Sequence, residues 1–444
     1  MRIALIGSGG REHAIAKNLA QHPGRDQLFV FGSTHNPGIL PLAAEYEIGK
    51  MNDAPGITRF CTARQVDLAV IGPEAPLLAG AVDALRAAGI PAFGPTTSQA
   101  RLESDKTFMR ELLRRKLGWG SPEWRVVTNR AEAAEFIQYI GQVVVKPIGL
   151  TAGKGVRVMG VHLLDDAQAL DYSEEWMRRD GKVLLEERLV GEEFSRIVFV
   201  SDGKLLPMPV AQDFKYAMDG DLGPMTGGMG SYTCADGSLP FLTKEDLVEA
   251  DRLLQEVVNA LDEETGTHYR GALYGQFMAT ANGIRVIEFN ARFGDPEGIN
   301  LNALLHPTVD IPVLYSMTAE GRLPAEVGVF QRQASVVKYL VPHAYPDVDP
   351  HPPVFDLDLA RIEAAGMSVV YSSVEAENGR LRALGSRTLA LVALGAEPGQ
   401  LSARMEELLQ QVEPTELTHR TDVGSAEVIA KKVNFMQQLR SRKV

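Results

Sequence analysis

Glu288, Asn290 and Arg292 stand two apart in the stretch Val286-Ile287-Glu288-Phe289-Asn290-Ala291-Arg292-Phe293-Gly294-Asp295-Pro296-Glu297. On an extended strand, side chains at i and i+2 leave the same face. A carboxylate beside an amide oxygen makes a pair of hard oxygen ligands suited to Mg²⁺ carrying nucleotide phosphates. A guanidinium in the same register can grip a carboxylate or a phosphate as a fork. The plain alternative is a strand whose polar face meets water, because two-residue motifs recur by chance.

Three other stretches carry the residue types that handling a nucleotide needs. Val143-Val144-Val145-Lys146 is an apolar run ending in a lysine, and Gly149-Leu150-Thr151-Ala152-Gly153-Lys154-Gly155 follows it before a β pattern resumes at 156–159. A Walker loop has Ser or Thr after its lysine and then opens a helix. Here Gly155 and a strand follow Lys154, so the stretch reads as a hairpin flap over phosphates. Residues 182–194 read as a strand, a turn at Gly191 and a second strand. A chain passing between two lobes there could offer backbone groups to an adenine and an acid to a ribose. The long loop 220–232 holds Gly223, Gly227 and Gly228, which suit close backbone approach to a ligand. Its Met225, Met229 and Tyr232 set it apart from a flexible linker.

Regular elements must position these groups. Residues 2–6 read as a strand buried on both faces, followed by Gly7, Gly9 and Gly10 and a helical pattern over 11–19. Strand, glycine turn and helix is an arrangement that can cradle an anion. Glu12 stands where G-x-G-x-x-G has its third glycine, which weakens a dinucleotide reading. Strands over 28–31 and 66–71 alternate with helices near 53–64 and 77–88, giving a Rossmann-like first domain. The loop Gly72-Pro73-Glu74-Ala75-Pro76-Leu77 should line the same crevice as residues 7–13.

Residues 98–117 read as helical, with a new helix able to start at Ser104 or Asp105 before Lys106. An α+β module follows from residue 124. A helix over 243–263 precedes a hairpin of 271–280 and 283–289, which sets Gln276 on the strand facing Glu288 as a further oxygen ligand. Residues 297–319 read as helix. Short β runs and a helix over 398–411 make a small third domain with no catalytic constellation of its own. The boundaries are 1–103, 104–327 (with a lid subdomain at about 123–190) and 328–444.

Composition bounds the rest. The chain has 444 residues and a formal net charge of −12, which argues against a nucleic-acid or anionic-membrane binder. Cys61 and Cys234 are the only cysteines and make neither a disulfide framework nor a zinc site. No apolar run approaches the roughly 20 residues of a membrane span, and no signal peptide is visible. The expectation is a soluble cytoplasmic protein, monomer or homodimer, acting on small molecules.

In order along the chain, "GSGGREHA" (7–14), "GPEAPL" (72–77), "SDKTFM" (104–109), "GLTAGKGV" (149–156), "EERLVGEEFS" (186–195), "GPMTGGMGSY" (223–232) and "EFNARFGDPE" (288–297) resemble the phosphoribosylamine–glycine ligase (glycinamide ribonucleotide synthetase) family of ATP-grasp enzymes. The resemblance covers most of the chain. It implies a multidomain α/β and α+β fold: a Rossmann-like amino-terminal domain, ATP-grasp central domains and a small β-rich carboxyl-terminal domain. It also implies ligation of glycine to 5-phosphoribosylamine through glycyl phosphate, using ATP with Mg²⁺ or Mn²⁺. No Ser, Cys or His triad is needed, since glycine's carboxylate is itself the nucleophile.

Residue by residue, the resemblance assigns Lys106 and Lys146 to the ATP phosphates, with Gly153, Lys154 and Gly155 of the flap closing over them. Glu186 would also bind ATP, Glu187 and Leu189 would hold adenine through the backbone, and Glu193 would hold the ribose. Glu288, Asn290 and Gln276 would bind the metal. Gly9, Gly10, Arg11, Glu12, Pro73 and Glu74 would place phosphoribosylamine. Asp213, Lys215, Gly227, Gly228, Arg292 and Asp295 would line the glycine and acyl-phosphate junction, where Arg292, Lys146 and Lys106 carry catalysis. Some positions depart from the family pattern. Lys146-Pro147-Ile148-Gly149 replaces Lys-Ala-Asp-Gly, Met225 replaces an Asn, His35-Asn36-Pro37-Gly38 recasts a Pro-Gly-Asn loop, and Gly-Ile-Asn follows Glu297. Rival readings are another ATP-grasp ligase or biotin-dependent-type carboxylase, a nicotinamide oxidoreductase, and a non-catalytic nucleotide binder.

Overall fold

The structure, a computed structural model, describes residues 1–22, 24–149, 155–323 and 328–442. Strands β1 (Arg2–Ile6), β2 (Gln27–Gly32), β3 (Glu45–Ile48), β4 (Leu68–Ile71) and β5 (Ala92–Phe93) form one parallel sheet in the order β3-β2-β1-β4-β5. Alternate residues of β1 serve its two covered faces. Ile3 and Leu5 pack with Ile15 and Leu19, while Ala4 and Ile6 pack with Ile57 and Phe60. The strand order reverses between β1 and β4, which brings the loops after them together at one crevice. β3 is an addition to the expected strands. Its Glu-Tyr-Glu-Ile sequence lies at the sheet edge with mostly exposed side chains, so it lacks the apolar run that marks its neighbours.

β6 (Trp124–Val127), β7 (Val143–Lys146), β8 (Arg157–Val158) and β9 (Val183–Glu187) form a small antiparallel sheet, with the helices Arg130–Ile140 and Asp166–Asp180 on its core. β10 (Gly191–Ser201), β11 (Lys204–Pro207) and, further on, β16 (Arg270–Thr280) and β17 (Gly283–Asn290) make the central sheet, ordered β11-β10-β16-β17. The helix Lys244–Thr265 buries Leu253, Leu254, Val257, Val258 and Leu261 in the core that this sheet shares. A reciprocal Thr243–Asp246 capping box starts it, and Gly266 at φ +68° ends it.

Residues 211–215 and 220–232, expected as loop, fall instead in β12 (Gln212–Asp213), in a hairpin of β13 (Tyr216–Met218) and β14 (Leu222–Met225), and in β15 (Gly230–Thr233). β12 and β15 join β18 (Ala334–Pro342) in the carboxyl-terminal sheet. Arg420, from the far end of the chain, donates to the Tyr216 carbonyl at 3.1 Å and to Asp221 at 2.9 Å, a tertiary anchor that no local pattern announces. The single helix expected over 297–319 is two, Glu297–Asn302 and Ile311–Ala319, because Pro307 lies between them and Asp310 caps the second.

Asp105 breaks the helical stretch near residue 100 as expected. Its carboxylate accepts from the N–H groups of Thr107 and Phe108, so Lys106 opens the helix Lys106–Leu112. The first sheet is joined to the central one by a ring cluster in which the centroids of Phe93 and Tyr315 lie 4.6 Å apart and those of Phe93 and Phe293 5.9 Å apart. Among the described residues no helix is long and apolar enough to cross a membrane.

Gly271 lies on the same join. At φ +146°, a Cβ there would meet the Gly94 backbone at 2.9 Å. At Gly266 a Cβ would meet nothing within 4 Å. Gly271→Ala is therefore expected to lower the melting temperature clearly more than Gly266→Ala, which carries only the left-handed backbone cost. Equal shifts in a thermal scan would contradict the close approach.

Candidate active site

β17 slips against β16. Gln276 faces Glu288, but Phe277 faces Val286, so Ile287 is an extra residue in β17. Beyond this bulge Glu288 and Asn290 leave the same face. Neither side chain has a hydrogen-bond or ion-pair partner among the described residues, and both sit at the crevice wall. Burial would raise the Glu288 carboxyl, but Lys215, Lys146, Lys106 and Arg292 outweigh it and hold the group below its usual value. An ionised carboxylate and an amide, both unpaired, fit a hard divalent cation that keeps other positions for phosphate and water.

Gln276 faces them as expected, yet it is engaged elsewhere. Its Oε1 lies against the Tyr274 hydroxyl, while its Nε2 donates to Glu193 at 2.8 Å and to Asp213 at 3.4 Å. Gln276 therefore organises the polar wall rather than offering a free ligand oxygen.

The phosphate lysines flank this face. Lys106 Nζ donates to the Gly149 carbonyl at 3.0 Å, at the root of the glycine-rich stretch. Lys146 Nζ lies 2.6 Å from Glu186 and 3.5 Å from the Ile287 carbonyl. Glu186 is buried, and Arg110 holds it through two bonds of 2.6 and 2.8 Å. Burial pushes Glu186 up, but Arg110 and Lys146 overcome that and hold it at about 2. The Glu186 side chain thus belongs to the cation network.

Glu187 pairs with residue 123 through both backbone and side chain, and the backbone N–H of Leu189 has no partner among the described residues. Glu193 accepts from Lys215 at 3.0 Å and from Gln276. Gly155 is described, and its carbonyl accepts from the Tyr172 hydroxyl at 3.0 Å. Gly153 and Lys154 lie outside the described residues.

At the other end of the motif Arg292 pairs with Glu103 at 2.8 Å and with Glu74 at 3.4 Å, which ties β17 to the first domain. Asp295 is held by the Tyr339 hydroxyl at 2.6 Å and by Arg387 at 3.2 Å. Arg387 also donates to the carbonyls of Gly227, Gly228 and Asp295 at 2.7, 3.1 and 2.6 Å. It comes from the carboxyl-terminal part of the chain, where no catalytic constellation is expected. Glu297 is buried against Ser195 and Tyr274 at 3.1 and 2.8 Å. Burial first, then Glu297 and Glu193, lift Asp213 to about 7 against the pull of Lys215.

The first-domain crevice differs from an open anion cradle. The Gly9 N–H is bonded to Glu12 at 2.7 Å and the Gly10 N–H to Ser372 at 3.2 Å. Glu12 thus caps the start of the helix from within its first turn and fills the space between the ends of β1 and β4. A Cβ on Gly7 or Gly72 would come within 2.6 or 2.3 Å of its side chain. A carboxylate there opposes a dinucleotide pyrophosphate, which sets the nicotinamide reading aside. Arg11 is buried, donating to Glu12 at 2.6 Å and to the Phe293 carbonyl at 2.9 Å. Pro73 precedes the short helix that Glu74 opens, and the Glu74 carboxylate stays partly exposed beside Arg292.

These segments match the known family in both sequence and shape. The model for the phosphoribosylglycinamide synthetase N domain matches residues 1–103, and that for its ATP-grasp (A) domain matches residues 104–298. The phosphoribosylamine–glycine ligases of Methanopyrus kandleri and Pyrococcus abyssi are 41% and 43% identical to the chain, with 99% of it covered in each case and 99% and 98% of those proteins. The chain belongs to the phosphoribosylamine–glycine ligase family. The crystal structure of the Thermotoga maritima phosphoribosylamine–glycine ligase superposes with a TM-score of 0.77 at 24% identity, covering 95% of this chain and all of that one, so the fold is shared. The family is of the ATP-grasp kind, which uses ATP with a divalent metal.

Glu186 gives this network a pH signature. Its folded pKa lies below the ordinary value of 4.5, so its stabilising contribution is complete above about 4.5 and is lost as pH falls from there through about 2. The gap in melting temperature between the parent protein and Glu186→Gln should narrow as pH drops from about 6 to about 3. A gap that stays constant over that range would contradict the assignment.

Proposed function

We propose that this chain ligates glycine to 5-phosphoribosylamine at the expense of ATP, giving glycinamide ribonucleotide, ADP and phosphate in de novo purine biosynthesis. The observation that carries the reading is the sidedness of β17 and its turn. Glu288 and Asn290 stand unpaired on a face flanked by lysines, while Arg292 and Asp295 are knitted to the first and third domains.

The reaction needs two nucleophilic steps. A glycine carboxylate oxygen attacks the γ-phosphorus as the bond to ADP breaks, giving glycyl phosphate. The amine nitrogen of phosphoribosylamine then attacks the acyl carbon; phosphate leaves, the amine loses a proton and the amide forms. A divalent cation, Mg²⁺ or Mn²⁺, held by Glu288 and Asn290 would neutralise phosphate charge. Lys106 and Lys146 supply further positive charge on the same side, and Arg292 supplies it at the junction.

On this reading the Leu189 N–H, without a partner among the described residues, would donate to adenine, and Glu193 would accept from a ribose hydroxyl. Asp213 is the acceptor available to glycine's ammonium, since Asp295 is already held by Tyr339 and Arg387. Glu74 and Pro73 face the amine's ribose from the first domain. On this reading residues 1–103 deliver the amine, residues 104–327 hold ATP and metal with a lid at about 123–190, and residues 328–444 close the junction through Arg387.

ADP release by the purified protein should require glycine, phosphoribosylamine and a divalent metal together. Release that persists without glycine, or that demands bicarbonate, would sink the reading in favour of a carboxylase-like activity. Glu288→Gln should cut kcat/KM by about 10²-fold or more with little change in melting temperature. Near-normal rates at limiting Mg²⁺ would count against the metal pair.

A further inference from the structure

Arg110 sits one turn after Lys106 in the helix Lys106–Leu112, and its side chain is fully buried. It makes four hydrogen bonds. Nε and Nη2 donate to the two Glu186 oxygens at 2.6 and 2.8 Å, Nη1 to the Val286 carbonyl at 3.0 Å and Nη2 to the Ile287 carbonyl at 2.9 Å. Those carbonyls belong to the bulge where β17 slips against β16, immediately before Glu288. Glu186 also lies 2.6 Å from Lys146 Nζ. One guanidinium, one carboxylate and one ammonium leave the group with a net charge of +1.

We propose that Arg110 is a positioning residue for nucleotide binding: it pins the Ile287 bulge that aims Glu288 and Asn290, and it saturates Glu186 so that Lys146 keeps its charge for the phosphates. The inference rests on the functional reading above, in which Lys146 faces ATP. A bulge redirects the side chains that follow it, and buried carbonyls that leave the ladder need other donors. Arg110 provides both donors from one rigid plane. It also supplies the second cation that Glu186 needs. Without it, the only cation in ion-pair contact with Glu186 among the described residues would be Lys146, and the pair would present no net charge to a phosphate. A lysine at 110 could restore the charge but not the fork that spans a carboxylate and two carbonyls.

The two roles separate by substitution. ADP affinity in the presence of Mg²⁺ is measured by calorimetry, without glycine or amine, beside the melting temperature. Arg110→Met should weaken ADP binding by about tenfold or more. Arg110→Met/Glu186→Gln should recover most of that loss, because removing the carboxylate frees Lys146. Arg110→Lys should bind ADP within about threefold of the parent yet need several-fold more Mg²⁺ for half-maximal binding, since the bulge is no longer clamped.

A double variant no better than Arg110→Met, or an Arg110→Met protein that melts lower but binds ADP normally, would overturn the proposal and leave Arg110 a structural brace. If Arg110→Met does not fold, the Arg110→Lys metal requirement decides, and an unchanged requirement overturns the claim. These readouts do not depend on the acceptor. A protein that shows the predicted ADP series but does not consume glycine would instead refute the functional reading alone.

Discussion

Charge pairing around β17 is the constraint on which the rest of the structure depends. A nucleotide-handling crevice must gather cations for phosphates and carboxylates for a metal and an ammonium, in a place from which much of the water has been removed. Unpaired, such charges are prohibitive to bury; removing one partner of a buried pair costs about 3–5 kcal/mol. The chain meets this by alternating signs: Arg110 with Glu186 and Lys146, Glu103 with Arg292 and Glu74, Glu193 with Lys215, Asp295 with Arg387. Among the described residues Glu288 and Asn290 stand outside the pairing, which is what marks them for an exogenous partner.

The same pairs assemble the domains. Arg292 reaches Glu74 beneath the first sheet, and Arg387 reaches from the third domain to Asp295 and to the glycines at 227 and 228. His13 adds a neutral tie. Burial and Lys17 lower its pKa to about 3, and its Nδ1 accepts the Tyr371 N–H at 2.8 Å. Fold and site are thus one network, with the aromatic cluster of Phe93, Phe293 and Tyr315 as its apolar hinge-point.

That Glu288 and Asn290 share one face of a strand was readable because period two on a strand is a local property, and so were the strand–turn–helix units at the start of the chain. What depended on distant partners was hidden. Gln276 could be placed opposite Glu288, but its orientation is set by Tyr274, Glu193 and Asp213 together. Arg110 looks like any helix arginine until Glu186, 76 positions away, folds onto it. Arg387 follows a Gly-Ser turn and resembles a solvated residue, which is why the third domain appeared inert. Glu12 did leave a signal: an acid three residues after Gly9, in the helix's first turn, can reach back to the Gly9 N–H, and weighing it would have foretold that this N–H is occupied.

The central claim is that Glu288 and Asn290 are left unpaired to hold the nucleotide's metal at the end of β17. Anomalous scattering from crystals grown with ADP and Mn²⁺ tests it most directly. The account predicts a peak about 2.1 Å from a Glu288 carboxylate oxygen and the Asn290 amide oxygen, with Gln276 still turned to Glu193. A peak that engages Gln276 in place of Asn290, or that lies away from β17, would contradict it.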